Sequence, residues 1–298
     1  MSWGDAPAMV PGSTQPSVTA KKLIEVMTLD CEEPLIACSP DGKRKKYPYF
    51  DSISYFPNGK EMVSASGDRS VRRWDLQAGK EIEEARIVCQ KGVLAVAVSR
   101  DGRWVVAGGG DLSYDNPGEL KACEAETGMV KTLDHLRTVT CIDISMDNKL
   151  FASGSMDRTV RIWNLNTGEL VAGPFERGDR ISWVGAVRFS QDSKKLAVKS
   201  TAGTCPIEVW DLQKQNLDVT VGKPNVGFFP NTPVFWTKKD RSIVAASTFT
   251  VYEFNSSTLE TVGAPFGAHT RFVDGLALSF DCALLASVHG LHHQALGV

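Results

Sequence analysis

The sequence predicts an all-β fold made of about six tandem sheets, because one turn pattern recurs along its 298 residues and apolar residues alternate before each copy. The copies begin at Phe56, Ser99, Ser145, Ser190, Thr237 and Ser279. Successive copies lie 42 to 47 residues apart, close to the ~40–45 residues of a four-stranded propeller blade. Helical periodicity is weak throughout. We therefore expect a β-propeller of about six four-stranded blades, with an incomplete last blade.

Each turn is flanked by stretches that are typical of half-buried strands. The strand before the turn carries apolar residues at every second position, as Ile142 and Ile144 do. The strand after the turn is short and rich in small and β-branched residues, as in LFASGS. A third strand often follows and ends in an aromatic residue. These aromatic residues are Trp74, Trp163, Trp210 and Phe254.

The two ends of the chain depart from this repeat. Residues 1–20 are rich in Pro, Gly, Ser and Thr, so we expect a flexible leader and then a propeller over residues 21–298. No third-strand aromatic follows the last turn, which predicts an incomplete blade. An open ring would expose strand edges, so we expect residues 23–29 (LIEVMTL) to pair with the last unit. A truncated seven-bladed chain with a gap is the alternative. Whether the chain is a fragment of a longer multidomain protein is a separate question that the sequence leaves open.

One unit matches a known family in detail. Residues 134–168 (DHLRTVTCIDISMDNKLFASGSMDRTVRIWNLNTG) carry a turn histidine, a strand serine, a turn aspartate and a strand tryptophan, at His135, Ser153, Asp157 and Trp163. This combination resembles the WD-repeat, or transducin-β-like, propellers, and the resemblance covers roughly residues 47–288. It implies that the four side chains form a structural tetrad of buried hydrogen bonds. An indole, a hydroxyl, an imidazole and a carboxylate can satisfy one another away from water.

The other units retain only parts of the tetrad. The matching residues are Ser64, Asp68 and Trp74 in the first unit, and His269 and Ser287 in the last. Lys46 stands in the histidine position of the first unit. Cys89 and Ala107 take the histidine and serine positions of the second, which keeps Asp111. Spacing and alternation persist, so the fold prediction stands while the blades are expected to differ in stability.

Composition argues against several classes of protein. The formal net charge of −2 predicts no general attraction to nucleic acid or anionic membranes. Seven scattered cysteines without a CxxC pair suit neither a disulfide framework nor a zinc site, and they favour a reducing compartment. No signal peptide or membrane span is recognisable. We expect a soluble cytoplasmic protein that needs no cofactor and no metal.

Three motifs could suggest other chemistry. His135, Ser153 and Asp157 are the residue types of a hydrolase triad, but their offsets match the structural tetrad. The run Gly108–Gly110 lacks the Lys-Ser/Thr partner of a phosphate loop and is read as the end of a second strand. The HGLHH segment, residues 289–293, could chelate a metal only if the terminus folded around it.

Exposed aromatic and arginine residues are candidates for partner binding. In the family that the chain resembles, the position three residues after the turn histidine lies on the loop rim. Aromatic and arginine side chains are common anchors of protein interfaces. The aromatic candidates are Tyr49, Trp183 and Phe272, and their charged neighbours are Arg137, Arg180 and Arg271. Some of these side chains could instead pack between blades.

The resemblance implies a non-catalytic scaffold that binds other proteins through the loop rim, monomeric within a larger complex. An enzyme with a site in the central channel is one alternative, although no cluster of inward Asp, Glu or His can be assembled from the sequence. RNA or phospholipid binding through the basic run Lys43–Lys46 is another. The same run could act as a nuclear import signal, which would add a nuclear pool, but a solvated loop is the simpler interpretation.

Overall fold

Antiparallel sheets succeed one another along the chain, and each is built from consecutive strands. The computed structural model describes residues 52–82, 87–111, 116–176, 183–200, 207–220, 232–246, 249–268, 273–278 and 285–289. All of them belong to one unit, Pro34–Val298. The predicted leader, the strand at residues 23–29, the basic run and the turn at Ser279 lie outside the described residues.

Twenty-three strands are described. In chain order they are β1 (Ile53–Tyr55), β2 (Glu61–Ala65), β3 (Ser70–Asp75), β4 (Lys80–Glu81), β5 (Ile87–Val88), β6 (Val93–Val98), β7 (Trp104–Gly109), β8 (Gly118–Glu124), β9 (Val130–His135), β10 (Val139–Ile144), β11 (Leu150–Ser155), β12 (Thr159–Asn164), β13 (Leu170–Glu176), β14 (Val184–Phe189), β15 (Lys195–Ser200), β16 (Ile207–Asp211), β17 (Asn216–Thr220), β18 (Val234–Trp236), β19 (Ser242–Ala246), β20 (Thr250–Asn255), β21 (Phe266–Ala268), β22 (Val273–Leu278) and β23 (Leu285–His289). A 3₁₀ turn spans Lys238–Asp240. In the described ranges, no helix has the length and apolar character needed to cross a membrane.

These strands form six sheets, which we number as blades 1 to 6. Blade 1 has the order β1-β2-β3-β4, with β5 also paired to β3. Blades 2 to 5 are each a simple four-stranded meander, namely β6 to β9, β10 to β13, β14 to β17 and β18 to β21. Two strands of blade 6, β22 and β23, are described. The predicted turns join the first and second strands, as the pairing of Ile144 with Phe151 across Ser145 shows.

Each blade packs against the next through an apolar interface. The first strands of neighbouring blades lie side by side, from β1 to β6, β10, β14 and β18. Between blades 2 and 3, for example, Trp104 and Leu120 share one cluster with Phe151. Val244 and Ala246 of blade 5 pack in the same way against Val273 of blade 6. The predicted all-β propeller class is thereby confirmed, with a first sheet of five strands, four four-stranded sheets and two strands of a sixth sheet among the described residues.

The recurring turn has a local explanation. In blade 3, the Ser145 hydroxyl donates to Asp147 Oδ1 at 2.7 Å and accepts the N–H of Leu150 at 2.9 Å. Blades 2 and 4 repeat both contacts with Ser99 and Ser190. The serine and aspartate therefore close the turn on themselves, which is why this pattern recurs in blades 2 to 4.

A second set of contacts joins the same turns between neighbouring blades. The fourth turn residue has a positive φ and presents a polar side chain to the preceding blade, as Asn148 (φ 57°), Ser193 (φ 59°) and Asp240 (φ 54°) do. These side chains accept backbone N–H groups of the preceding turn, from Arg100 at 2.8 Å, Met146 at 3.0 Å and Gln191 at 2.8 Å. Between blades 1 and 2 the donor position is Pro57 and the acceptor position is Gly102, so neither half of the bond exists.

Lys199 is a buried cation in blade 4, at the strand position where blade 3 has Gly154. Its Nζ donates to the carbonyl oxygen of Thr232 at 3.2 Å and also contacts the Thr232 hydroxyl. Burial lowers the pKa of Lys199 to about 7, from an ordinary value of 10.5. The folded protein therefore binds this proton more weakly than the unfolded chain does.

We expect Lys199 to make the free energy of unfolding vary with pH in the alkaline range. Because the unfolded chain holds the proton up to about pH 10.5, the free energy of unfolding should rise as the pH increases from 7 towards 10.5. Urea denaturation at pH 7 and pH 10 measures this increase in the free energy of unfolding. The increase should be smaller in Lys199→Met than in wild type by about 1 kcal/mol or more. The exposed Lys194→Met is the matched control and should keep the wild-type slope. Equal slopes in all three proteins would contradict the buried-cation interpretation.

Candidate functional site: the loop rim and the network beneath it

Four side chains, one at the end of β9 in blade 2 and three in blade 3, are joined in a single hydrogen-bonded network. Trp163 Nε1 donates to Ser153 Oγ at 2.8 Å, and Ser153 Oγ lies 2.7 Å from His135 Nε2. His135 Nδ1 lies 3.2 Å from Asp157 Oδ2. The other Asp157 oxygen accepts the N–H of Thr159 at 2.8 Å and its hydroxyl at 2.5 Å. The network ties the end of β9, the outer strand of blade 2, to the strands β11 and β12 of blade 3.

The electrostatics of this network are consistent with a neutral histidine and an ionised aspartate. Burial lowers the pKa of His135, although the hydrogen bond and the charge of Asp157 oppose it. Burial by itself raises the pKa of Asp157, but hydrogen bonds from His135 and Thr159 outweigh it and bring the pKa to about 2. His135 Nδ1–H then donates to Asp157, and Nε2 accepts the Ser153 hydroxyl.

This geometry does not suit nucleophilic catalysis by Ser153. The serine has no solvent-exposed surface and His135 is 1 % exposed, so no substrate can reach the hydroxyl. The Ser153 hydroxyl is also occupied on both sides, by the indole and by the imidazole. The arrangement can hold strands together, but it cannot present an activated oxygen to an acyl group.

The other blades show how the network shortens when residues are lost. In blade 1, Trp74 Nε1 donates to Ser64 Oγ at 2.9 Å. Asp68 there binds the Ser70 hydroxyl at 2.6 Å and Arg72 Nη2 at 2.5 Å. In blade 2, the serine position is Ala107 and the exposed Asp111 accepts from Asn116 at 3.2 Å, outside any such network.

Blade 4 makes a replacement contact. Its serine position is Val198, so Trp210 Nε1 donates to Glu208 Oε2 at 3.2 Å.

Above the complete network, several loop residues meet at one edge of blade 3. The Ser155 hydroxyl donates to the carbonyl oxygen of Arg137 at 3.1 Å, and this bond joins the loop before β10 to the turn after β11. Trp183 precedes β14, whose Val184 carbonyl oxygen accepts the Thr140 hydroxyl. Arg137 and Trp183 are half-buried at this edge. We call it the rim surface, formed by Leu136, Arg137, Arg158 and Trp183.

Several of the candidate site residues lie outside the described residues. Trp183 and Arg137 are the two candidates for partner binding that the structure describes. Tyr49, Phe272, Arg180, Arg271 and the tetrad candidate His269 lie outside the described residues. Ser287 is in β23, paired with Leu276 of β22.

Sequence reasoning missed two members of the rim surface. Leu136 is 72 % exposed, and Arg158 is exposed with a φ of 71°. An apolar residue directly after the turn histidine was a signal available in the sequence.

The run Gly108–Gly110, at the same edge of the sheets, has no room for larger side chains. A Cβ atom on Gly109 would lie 2.0 Å from the carbonyl oxygen of Gly92, and one on Gly110 would lie 2.6 Å from the Thr138 hydroxyl. A Cβ on Gly108 would meet Val139 Cγ1 at 2.7 Å. The run therefore lets β7 pass close to its neighbours, and no helix follows it in the described residues to receive a phosphate.

The first strands enclose a cavity of about 730 Å³. It is lined by residues of β1, β6, β10 and β14 and by Pro233. Among the described residues of its lining, the charged side chains are Arg100, Asp143 and Arg188, and Asp143 is the single carboxylate. In the described residues, no group of three or more His, Cys, Asp or Glu side chains is placed to hold a metal ion. His289 ends β23, and the rest of the HGLHH segment lies outside the description.

Comparison with known proteins identifies the repeat. The family model described as "WD domain, G-beta repeat" matches residues 50–75, 85–115 and 128–164, which are parts of blades 1 to 3. A relative in Danio rerio, "Guanine nucleotide-binding protein subunit beta-5b", is 32 % identical over 115 residues. The "Guanine nucleotide-binding protein subunit beta-like protein" of Encephalitozoon cuniculi is 28 % identical over 169 residues. The "WD repeat-containing protein 26 homolog" of Arabidopsis thaliana is 26 % identical over 164 residues.

Each alignment covers only part of this chain and only part of the relative. They cover 38 %, 53 % and 53 % of this chain, in the order given. The chain spans 28 %, 48 % and 26 % of the length of the same three relatives. What the relatives share with the chain is therefore the repeat.

Proposed function

This chain carries WD40 repeats, as the resemblance predicts, and we propose on that basis that it is a non-catalytic scaffold that binds other proteins through its loop rim. Proteins with this repeat generally serve as platforms for protein interaction, and the relatives above support that general role. Fold alone does not fix function, so the side chains at the rim decide whether it can bind a partner.

The observation that carries the proposal is the composition of the rim surface. Leu136 leaves 72 % of its surface in water, and the half-buried Arg137, the half-buried Trp183 and the exposed Arg158 lie in loops at the same ends of the strands. Aromatic and arginine side chains are enriched among the residues that dominate binding energy at protein interfaces. The loops that present them are held by the buried network of His135 and by the bond from Ser155 to Arg137. A surface held in this way loses little conformational entropy on binding.

The test compares the proteins recovered by affinity purification and mass spectrometry with the whole chain and with its variants as bait. Trp183→Ala and Leu136→Ala should each lower the recovery of the same proteins about five-fold or more, the loss expected for an interface anchor. Leu217→Ala removes another exposed leucine, 41 % exposed, from the outer strand β17 and is the control. Equal recovery with the rim variants and the control would count against the rim.

The cellular location and the assembly state of the protein are also proposals. We propose that the protein acts in the cytoplasm, as a monomer within a larger complex. A nuclear pool, and RNA or phospholipid binding, would depend on the basic run Lys43–Lys46, which lies outside the described residues. Deleting that run and following cellular distribution and salt-sensitive binding tests both possibilities.

A further inference from the structure

The cavity between the first strands has a distinctly basic opening. Its lining includes turn residues Pro57, Ser99 and Arg100, so it reaches the edge of the sheets where first and second strands are joined. The rim surface lies at the opposite ends of the same first strands. The cavity is therefore a separate feature, and the described part of its lining carries two guanidinium groups and one carboxylate.

The carboxylate of Asp143 is fully committed within the protein. Its Oδ1 accepts Arg188 Nη1 at 3.0 Å, and its Oδ2 accepts the backbone N–H of Phe189 at 2.8 Å. Both partners belong to blade 4, so Asp143 joins blades 3 and 4. Because both oxygens are occupied inside the protein, a ligand would meet the remaining positive charge of the two arginines.

Arg188 is held in place and yet retains donors. Its side chain is 36 % exposed, and its guanidinium carbon lies 5.0 Å from the centroid of the Phe235 ring. Asp143 engages Nη1, while Nε and Nη2 make no hydrogen bond to the described residues. A guanidinium fixed by a carboxylate on one side and an aromatic ring on another is pre-organised to bind an anion through its remaining N–H groups.

Arg100 supplies the second cation. It is exposed, and its backbone is fixed by the hydrogen bond from its N–H to Asn148. Its guanidinium makes no hydrogen bond within the described ranges. Arg100, Asp143 and Arg188 line the same cavity. Partial desolvation lowers the pKa of Arg100 although the residue is exposed, while Asp143 raises this pKa and Arg188 lowers it. Two cations near each other gain when an anion lies between them.

We propose that the basic mouth of this cavity binds an acidic peptide, with one anionic group of the peptide seated between Arg100 and Arg188. The half-exposed Tyr55, also in the lining, offers an aromatic wall for the peptide chain. A volume of about 730 Å³ has room for a few side chains. The anionic group is a carboxylate or a phosphate, since both match the planar fork of arginine.

The test uses the whole chain and fluorescence anisotropy with three labelled peptides of one frame, carrying four Glu, four Gln, or phosphoserine in place of Glu. The Glu or the phosphoserine peptide should bind, and the stronger of the two identifies the source of the anion. The Gln peptide should not bind. Arg100→Gln should weaken binding at least five-fold. Arg188→Lys keeps the charge but loses the fork, and it should weaken binding as well.

The control is Arg158→Gln, which removes the same charge from the rim surface and should leave peptide binding within two-fold of wild type. Arg100 is exposed and not needed for packing, so its variant remains decisive if Arg188→Lys does not fold. The proposal is overturned if the Gln peptide binds as well as the others, or if neither acidic peptide binds. It is also overturned if Arg158→Gln weakens binding and Arg100→Gln does not, because the rim would then hold the peptide.

Discussion

Gly109→Ala should strongly lower the melting temperature of the protein. A Cβ atom at this position would lie 2.0 Å from the carbonyl oxygen of Gly92 and 2.8 Å from Val93 Cα. Both are backbone atoms of the neighbouring strand segment, so relief requires a shift of the strand and not of a flexible side chain. We expect a loss of about 3 kcal/mol, the upper range for overpacking, and a melting temperature lower by roughly 5–10 °C.

The matched control is Gly67→Ala. Nothing lies within 4 Å of a Cβ built on Gly67, and its φ is not positive, so its melting temperature should stay close to wild type. Thermal unfolding followed by circular dichroism measures both variants. If Gly109→Ala and Gly67→Ala had the same melting temperature, the close approach of β7 to the Gly92 backbone would be refuted.

Asp157→Ala should produce the second large effect and lower the free energy of unfolding by roughly 1–3 kcal/mol. The substitution leaves His135, which is 1 % exposed, without the acceptor of its Nδ1–H. It also removes the acceptor of the Thr159 N–H and hydroxyl. The free energy of unfolding from urea denaturation at pH 7 measures the loss. Glu126→Ala, which removes an exposed carboxylate of blade 2, should change it by less than about 0.5 kcal/mol.

The acid limb of the stability curve provides a second measure of Asp157. Its folded pKa, about 2, lies below its ordinary value of 3.8. Its contribution is therefore complete above about pH 4 and is lost as the pH falls towards 2. The gap in stability between wild type and Asp157→Ala should narrow over that interval. A constant gap from pH 5 to pH 2, or no gap at pH 7, would show that the carboxylate does not hold the network.

The parts of the fold that the sequence predicts are those with local causes. The turn beginning at Ser145 repeats because its serine and aspartate bond to their own turn. The aspartate or asparagine after each third-strand aromatic residue repeats for a similar reason, since Asp75 and Asn164 accept the N–H groups two residues further on. Such contacts need only neighbouring residues, so they appear as a pattern in the chain.

Contacts between blades could not be predicted in the same way. Nothing adjacent to Asn148 indicates that it accepts the N–H of Arg100, 48 residues earlier. Lys199 ends an apolar strand pattern, and only the packing of blade 4 reveals that its Nζ reaches Thr232. The pairing of Asp143 with Arg188 likewise joins two strands that share no sequence signal. These residues alternate correctly in their strands, but their partners depend on how successive sheets are placed side by side.

The central claim of a binding rim is tested most directly by the affinity of one recovered partner for the purified chain. Trp183→Ala and Arg137→Ala should each raise the dissociation constant about five-fold or more, without a change in melting temperature. Leu217→Ala should leave it unchanged. A dissociation constant that is the same for all four proteins would contradict the account, because the partner would then be held somewhere other than the rim surface.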